Sequence, residues 1–451
     1  MKSKKIWNKK LVSIHIHRLW LLTLFLISLS ASGNAQTWTL QQCIDTAQIY
    51  NKNLQMSRNN VELGSERQRE AKAGLLPKVT LNADYKYFPD LPYQLMPQSA
   101  FGGPEGTFKE IQMGVPHNIS TNIQFALPLY NPMVYGAIQS TRIASDLAEQ
   151  QYKKTEELVF FEISNLYYNA QILMHQFKFM EVNLDNTQKL LENLQLLYSQ
   201  QMIKKSDVTK VELQKEQLIT QLESAGSNLE QVMNALKFSM GIPLKEIIEI
   251  ETEILNKSNT EYSADQPIDL KIAYTQNKLL SGELSILKNS RLPSVSLYGI
   301  YGQTGFGYDE SPNAFLKFFP NSIVGIQVSI PIFNGMVTRQ KINQKKIEIT
   351  NSELQIRNVT EQNNMLVENA THKRLITKQI IEDTYGQITL AKTIYDEMIL
   401  QQKEGMANLT EILMADNALR QAQQSNLSAI IDYLKADLEL KKLTGNISLN
   451  N

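Results

Sequence analysis

The chain has 451 residues, 42% hydrophobic and 20% charged, with 45 basic side chains balancing 45 acidic ones and a single cysteine. That length and apolar content support a substantial core, while the even charge balance gives no electrostatic case for a nucleic-acid partner and the lone thiol excludes an internal disulfide framework. The five histidines are scattered and no HExxH, GxSxG, phosphate loop or cysteine pair occurs, so neither an enzyme nor a metal site or cofactor is expected.

Lys2, Lys4, Lys5, Lys9 and Lys10 form a basic head before an apolar run from Leu19 to Leu29, and Ala31 to Ala35 offers small residues for cleavage before Gln36. Residues 1–35 are therefore expected to be a secretory signal, the run being shorter than the roughly 20 residues a spanning helix needs. No later run is long enough either, so any membrane crossing would have to be made by strands. Cys43 lacks the small-residue context of a lipid-modified cysteine, and a buried thiol on the first helix is expected.

Leu40, Ile44, Ala47 and Leu54 have helical spacing, predicting one helix from Trp38 to Leu75 that Pro77 ends. Val79, Leu81, Ala83, Tyr85 and Tyr87 then alternate with polar residues as a strand. Asp90 to Pro116 carries four prolines after Asp90 and Gly102-Gly103, and reads as a long irregular loop. A second strand follows in NISTNIQFALPLYN, Asn118 to Asn131. Pro128 suits a strand end, and Asn131-Pro132 supplies a helix cap and a first-turn proline.

A helix of about 70 residues, roughly 105 Å long, is predicted from Pro132. Val159, Ile163, Leu166, Ala170, Leu173, Phe177, Met180, Leu184, Thr187, Leu191, Leu194 and Tyr198 step by 4 and 3, a seam that predicts coiled-coil packing. Lys204 to Asp207 interrupts it, and a returning helix runs to about Met240 before Gly241-Ile242-Pro243. Residues 244–265 are mixed and are expected to lie outside the main helices.

A helix over about 268–291 leads through Leu292-Pro293 into a third strand, SVSLYGIYG, and an aromatic loop from Gly305 to Asn321. Val324, Ile326, Val328 and Ile330 alternate before Pro331, with Asn334 placed to cap a helix over 335 to about 403. On that helix Ala370, Thr377, Thr384, Ala391 and Met398 share a small or polar face, which would either line a water-filled lumen or be a solvated outer surface. A last helix, from about Asn408 to Leu443, ends before Gly445.

Pro77 and Pro293 lie 216 residues apart, Pro128 and Pro331 203, and Gly241 and Gly445 204. A duplication with a shorter interstrand loop in the second copy explains these offsets. It divides the mature chain into repeats 36–262 and 263–451, each a helix, two strands and a helical hairpin. Four strands cannot close a barrel, the smallest having about 8. Open edges in lipid would cost on the order of tens of kcal/mol in unpaired backbone groups. Two, three or four chains would therefore share one barrel. The alternative is a periplasmic coiled-coil adaptor or structural spacer whose hairpins never enter lipid.

The signal, the Leu-Pro joints at 76 and 292, the LPLYN and IPIFN joints, and the turns QMIKKSDV (201–208) and GMANLTEIL (405–413) together resemble the outer membrane efflux protein family, the TolC-like export ducts. The resemblance implies a mostly α protomer that gives four strands to a 12-stranded membrane β-barrel and long coiled-coil helices to a periplasmic α-helical barrel. It implies a homotrimer in outer membrane lipid, serving as the passive exit duct of a tripartite efflux or type I secretion system. The implied partners are a periplasmic adaptor (membrane fusion) protein and an inner-membrane pump of RND or ABC type.

In that family carboxylates at the helical turns line a periplasmic constriction, and Asp207 and Glu411 fall at the matching positions. A second family aspartate is Met414 here and a family arginine is Ala407, while Asp416 is out of register. Apart from the resemblance, Asn408 and Glu411 have the spacing of a capping box, and Asp207 sits where a helix dipole favours a negative charge. The prolines at 77, 128, 293 and 331 are the expected strand–helix joints.

Overall fold

Pro77 and Pro293 each stand between the end of a helix and the first residue of a strand, and the chain alternates long helices with long strands between such joints. The computed structural model describes residues 37–253, 262, 266–307 and 317–446; the expected signal and residues 308–316 of the aromatic loop lie outside them. In order the elements are α1 (Leu40–Tyr50), α2 (Lys52–Ala73), β1 (Lys78–Tyr87), β2 (Tyr93–Pro97), β3 (Phe108–Gln112), β4 (His117–Tyr130), α3 (Pro132–Ser199) and α4 (Lys205–Met240). There follow α5 (Ile268–Asn289), β5 (Ser294–Gly307), β6 (Lys317–Ser329), α6 (Val337–Lys403) and α7 (Leu409–Leu443).

The opening helix is two helices rather than one. Asn51 adopts an extended conformation between them, its amide nitrogen closing α1 on Ala47 O. Its side chain caps α2 by accepting from Leu54 N at 3.1 Å and donates to Ser239 O at 2.6 Å. Helical spacing continued across the break, so periodicity alone could not reveal it; the buried asparagine that satisfies both helix ends does. The C-terminus of α4 abuts this point, and a Cβ at Gly241, whose φ is +79°, would collide with Tyr50 O. Thr39 and Gln42 form a capping box at the start of α1.

The four long strands form one antiparallel sheet in the order β1-β4-β5-β6, with β1 and β6 at the edges. The stretch expected to be an irregular loop, Asp90 to Pro116, instead holds the β2–β3 hairpin, joined by a 3-10 turn at Gln98–Phe101. Its glycines at 102, 106 and 114 take positive φ, which is why glycine-rich sequence here makes a structured turn.

The chain divides into two compact units. The first comprises Met1–Gln55, Thr155–Pro267 and Asn364–Asn451, and the second Met56–Lys154 and Ile268–Asn363. Within the first, the seam of α3 is buried at Val159, Ile163, Ala170, Thr187, Leu191 and Leu194, and Thr187 satisfies its hydroxyl on Asn183 O at 2.8 Å. Only Tyr198, at the end, falls off it and is exposed.

Cys43 is buried on α1 and its thiol is pushed up to about 12 by desolvation. The described residues after α4, 244–253, lie outside the helices as expected and pack on α3: Ile248 and Ile250 are buried, Trp38 and Ile250 form a parallel bridge, and Gln171 donates to Glu251 O and Glu253 O.

The small-residue face of α6 is neither lumen-lining nor solvated. Ala370, Thr377, Thr384 and Ala391 are all buried; Asn426 of α7 donates to Thr384 Oγ1 and Ile381 O, and Ala391 packs with Leu419 and Ala422. Thr377 and Thr384 return their hydroxyls to Lys373 O and Ile380 O, at 2.8 and 2.6 Å. Hydroxyls that bond back to their own helix leave an apolar exterior, so threonine here acts as a small packing residue.

In the second unit, Gly136 lets α3 approach α5 closely, since a Cβ there would lie 2.6 Å from Ile286 Cγ1. Lys345 of α6 joins Glu283 of α5 at 2.8 Å, and Gln150 of α3 donates to Thr275 of α5 at 2.9 Å.

Candidate membrane-spanning sheet and helical turns

Register and alternation assign every residue of the sheet to one of two faces. Val79, Leu81 and Tyr85 of β1 stand opposite Phe125, Ile123 and Ile119 of β4; these continue through Leu297 and Tyr301 of β5 to Val324, Ile326 and Val328 of β6. The other face carries Thr80, Asn82, Asp84 and Lys86, then Asn118, Ser120, Asn122 and Gln124; on β5 and β6 it is mixed, with Ser296 and Thr304 beside Tyr298, Ile300, Phe306, Phe319 and Ile323. Asn82 and Asn122 bond across it at 3.3 Å, and Lys86 pairs with Asp84 at 3.1 Å.

The apolar face is uncovered: Leu81 is 67% exposed, Ile326 65% and Val324 81%. A wide exposed apolar sheet face marks a membrane or partner surface rather than an ordinary solvated one. At its end nearest the β2–β3 hairpin, Tyr85 and Tyr87 stack on His117, with the Tyr85 hydroxyl 2.7 Å from His117 Nδ1. Such a ring cluster suits a lipid–water boundary. Among the described residues, no helix is long and apolar enough to cross a membrane.

Strands β4, β5 and β6 are 14, 14 and 13 residues long, and β1 is 10. Both edges are free of strand partners among the described residues.

The joints differ between the two halves. Pro128 lies inside β4 at a register shift against β5, where the missing amide costs no ladder bond, and Asn131 caps α3 by accepting from Met133 N at 3.1 Å. Pro331 instead follows the end of β6. The chain then runs through exposed Ile332 and Phe333 and through Gly335 and Met336, both at positive φ, before α6 begins at Val337. Asn334 donates to Thr338 Oγ1 and accepts no backbone amide through its side chain, so the expected cap is absent here.

The two helical turns match in sequence at an offset of 204: Gln201 matches Gly405, Met202 matches Met406, Lys204 matches Asn408 and Asp207 matches Glu411. Gln201 and Gly405 both take positive φ, 57° and 75°, and Met202 and Met406 are both 68% exposed.

Glu411 completes the capping box of α7, its Oε2 accepting from Asn408 N at 2.8 Å while Asn408 Oδ1 accepts from Glu411 N at 3.0 Å. Asp207 lies in the first turn of α4, half-buried, with Lys210 Nζ 3.3 Å from its carboxylate. One apolar cluster holds both turns together: Leu191, Leu194, Val208 and Val211, with Leu409 and Leu413 packed against them.

Asp416, out of register in the sequence comparison, makes the polar tie between the hairpins. It accepts from Gln214 of α4 at 2.7 Å and pairs with Arg420 on its own helix. Desolvation holds its carboxyl above the ordinary aspartate range in spite of Arg420 and the Gln214 hydrogen bond. Its spacing to Arg420, one helical turn, was the signal available beforehand.

No family model matches the chain. It is 20% identical over 446 residues to the outer membrane protein TolC of Escherichia coli, covering 94% of this chain and 86% of that protein. Among solved structures it is similar to the outer membrane protein VceC from Vibrio cholerae, with a TM-score of 0.74 at 16% identity over 90% of this chain and 96% of that one. It is similar also to the Campylobacter jejuni CmeC outer membrane channel, with a TM-score of 0.74 at 14% identity over 90% and 85% of the two chains. Uncovered apolar sheet, long paired helices and whole-length similarity agree: the chain has the fold of a TolC-like outer membrane channel protomer.

Proposed function

We propose that this chain is one protomer of a passive outer-membrane exit duct, through which an efflux or type I secretion system releases substrate from the periplasmic side to the exterior. The observation that carries the reading is the sheet: one face apolar and uncovered, the other polar along β1 and most of β4, both edges free among the described residues. Three copies would close it into a 12-stranded barrel with lipid outside and water inside. A homotrimer of this kind, working with a periplasmic adaptor and an inner-membrane pump of RND or ABC type, follows the whole-length similarity to TolC. Residues 36–262 and 263–451 are then two copies of one ancestral unit, supported by the 204-residue offset that matches the turns position by position. The energy for transport would come from the pump, so the chain needs no catalytic residue or cofactor of its own.

A periplasmic adaptor or spacer is the poorer reading because it leaves the apolar sheet face in water. Fractionation separates the two. The duct is expected as a heat-modifiable oligomer in the outer membrane, and a detergent-free soluble monomer would overturn it.

Asp207 and Glu411 are proposed as carboxylates of the periplasmic constriction, Glu411 capping α7 at the same time. The nearby positions Ala407 and Met414 carry no charge, so the ring would rest on these two side chains. The double variant Asp207→Ala/Glu411→Ala is expected to raise single-channel conductance or shift cation selectivity in planar bilayers. Unchanged values of both would remove the gate assignment.

A further inference from the structure

On β1 the two faces of the sheet are cleanly divided, but on β6 they are not. Ile323 and Val324 are neighbours on opposite faces, 47% and 81% exposed, so this part of the sheet is apolar on both sides. A strand apolar on both faces is ordinarily covered on both. Here Phe319, on the same face as Ile323, is half exposed as well.

The register gathers these side chains into one stripe. Tyr298, Ile300 and Phe306 of β5 and Ile323 and Phe319 of β6 all belong to the face that carries Thr80 and Asn122. Ile300 and Ile323 stand directly opposite each other, and the rings of Phe306 and Phe319 lie 5.9 Å apart. Tyr298 is laid across Gly325, where a Cβ would lie 2.8 Å from the Tyr298 hydroxyl. At about 3.4 Å per residue the stripe extends for roughly 27 Å from Tyr298 to Phe306. It is interrupted once, where Gly302 faces Asn321.

The wall beside it, on β1 and β4, is polar. Asp84 and Lys86 neutralise each other there at 3.1 Å. Lys78, exposed and in the same row as Tyr298, makes no ion pair among the described residues.

We propose that this stripe is a substrate track and that the substrates of the duct are amphipathic anions. An apolar flank would slide along the isoleucines and aromatic rings while the polar wall and Lys78 keep the charged edge in water. The proposal rests on the duct reading. A cylinder of 12 strands is wider than the eight-stranded barrels whose interiors side chains fill, so three such stripes stay open to the water column. Each lies between β4 of its own chain and β1 of the next, which puts a Lys78 within two strands on either side.

Current through the purified oligomer in planar bilayers tests this with three probes: naphthalene sulfonate, a sugar sulfate of the same charge, and a naphthyl ammonium of similar size. Naphthalene sulfonate is expected to interrupt the current at a concentration at least about tenfold below either control. Ile300→Thr/Ile323→Thr, which keeps the β-branched shape that strands favour, should raise that concentration about tenfold. Asn82→Ala on the polar wall should leave it unchanged. Lys78→Gln should abolish the preference for the sulfonate over the ammonium and keep the preference over the sugar.

Equal interruption by all three probes would overturn the track, as would an unaltered response in the threonine double variant. A sulfonate preference that survives in Lys78→Gln would overturn the role of that lysine. A wild-type protein that conducts no ions would overturn the duct reading instead. If the double variant does not assemble, Phe319→Thr carries the same expectation and decides.

Discussion

The hairpin of α3 and α4 and the hairpin of α6 and α7 match in sequence position, yet they hold together by opposite means. The first closes on large side chains, with Ile163, Leu191, Leu194, Val208, Val211 and Leu218 buried. The second presents small residues from one side: Ala370, Thr377, Thr384 and Ala391 of α6 are buried, and Ala391 packs on Leu419 and Ala422 of α7. Small residues on the seam leave the bulky ones elsewhere: Leu375, Tyr385, Leu390 and Leu400 of α6 are between 60% and 69% exposed. A seam of large residues completes its packing within the protomer. The seam of small residues leaves α6 with an apolar outer surface that sister subunits of the proposed trimer would cover.

Breaking each seam by the change it tolerates least separates the two modes. Ile163→Ala should cost about 2–5 kcal/mol through the cavity it leaves, read as a lower thermal midpoint in detergent. Ala391→Leu should cost about 1–3 kcal/mol by overpacking. The same enlargement at exposed Ala418→Leu of α7 should cost almost nothing. A loss on Ala391→Leu no larger than that on Ala418→Leu would refute the small-residue seam.

The helix starts sharpen the comparison at smaller scale. Lys204 precedes α4 with no side-chain cap, whereas its counterpart Asn408 closes a capping box on α7. Asn408→Ala is expected to lose about 1 kcal/mol and Lys204→Asn to gain a similar or smaller amount, both measurable as midpoint shifts. An unchanged midpoint in Lys204→Asn would mean that the first turn is held by its apolar cluster alone.

The smallest expected signal is a pH dependence. The folded carboxyl of Asp416 sits above its unfolded value, so the folded state binds its proton first as pH falls. Its contribution to stability should therefore rise as pH drops from the folded pKa towards the ordinary aspartate value near 4, and be lost as pH climbs through the same window. Comparing the wild type with Asp416→Asn across that range isolates the effect, and parallel stability curves would count against it.

The large-residue seam was legible from the sequence because a strict 4-and-3 step repeats over forty residues, and the strands because alternation reports a face directly. The small-residue seam was visible as a pattern but misread. Alanine and threonine carry no hydropathy contrast, so only the partner helix reveals that their face is buried. The break at Asn51 depends on what lies across from it, the backbone carbonyl of Ser239. The carboxylates at 207 and 411 were found by position; the tie through Asp416 and Gln214 joins two distant segments, which no local pattern records.

The sheet begins with the chain's first long strand and ends with its last, so its two borders are different surfaces. Subunits joined border to border would meet head to tail, an arrangement in which any copy can follow any other and only curvature stops the count. Defective and intact copies made in the same cell would thus be drawn into common rings. A single faulty chain would then impair its healthy neighbours, so that damaging substitutions should act dominantly rather than being masked.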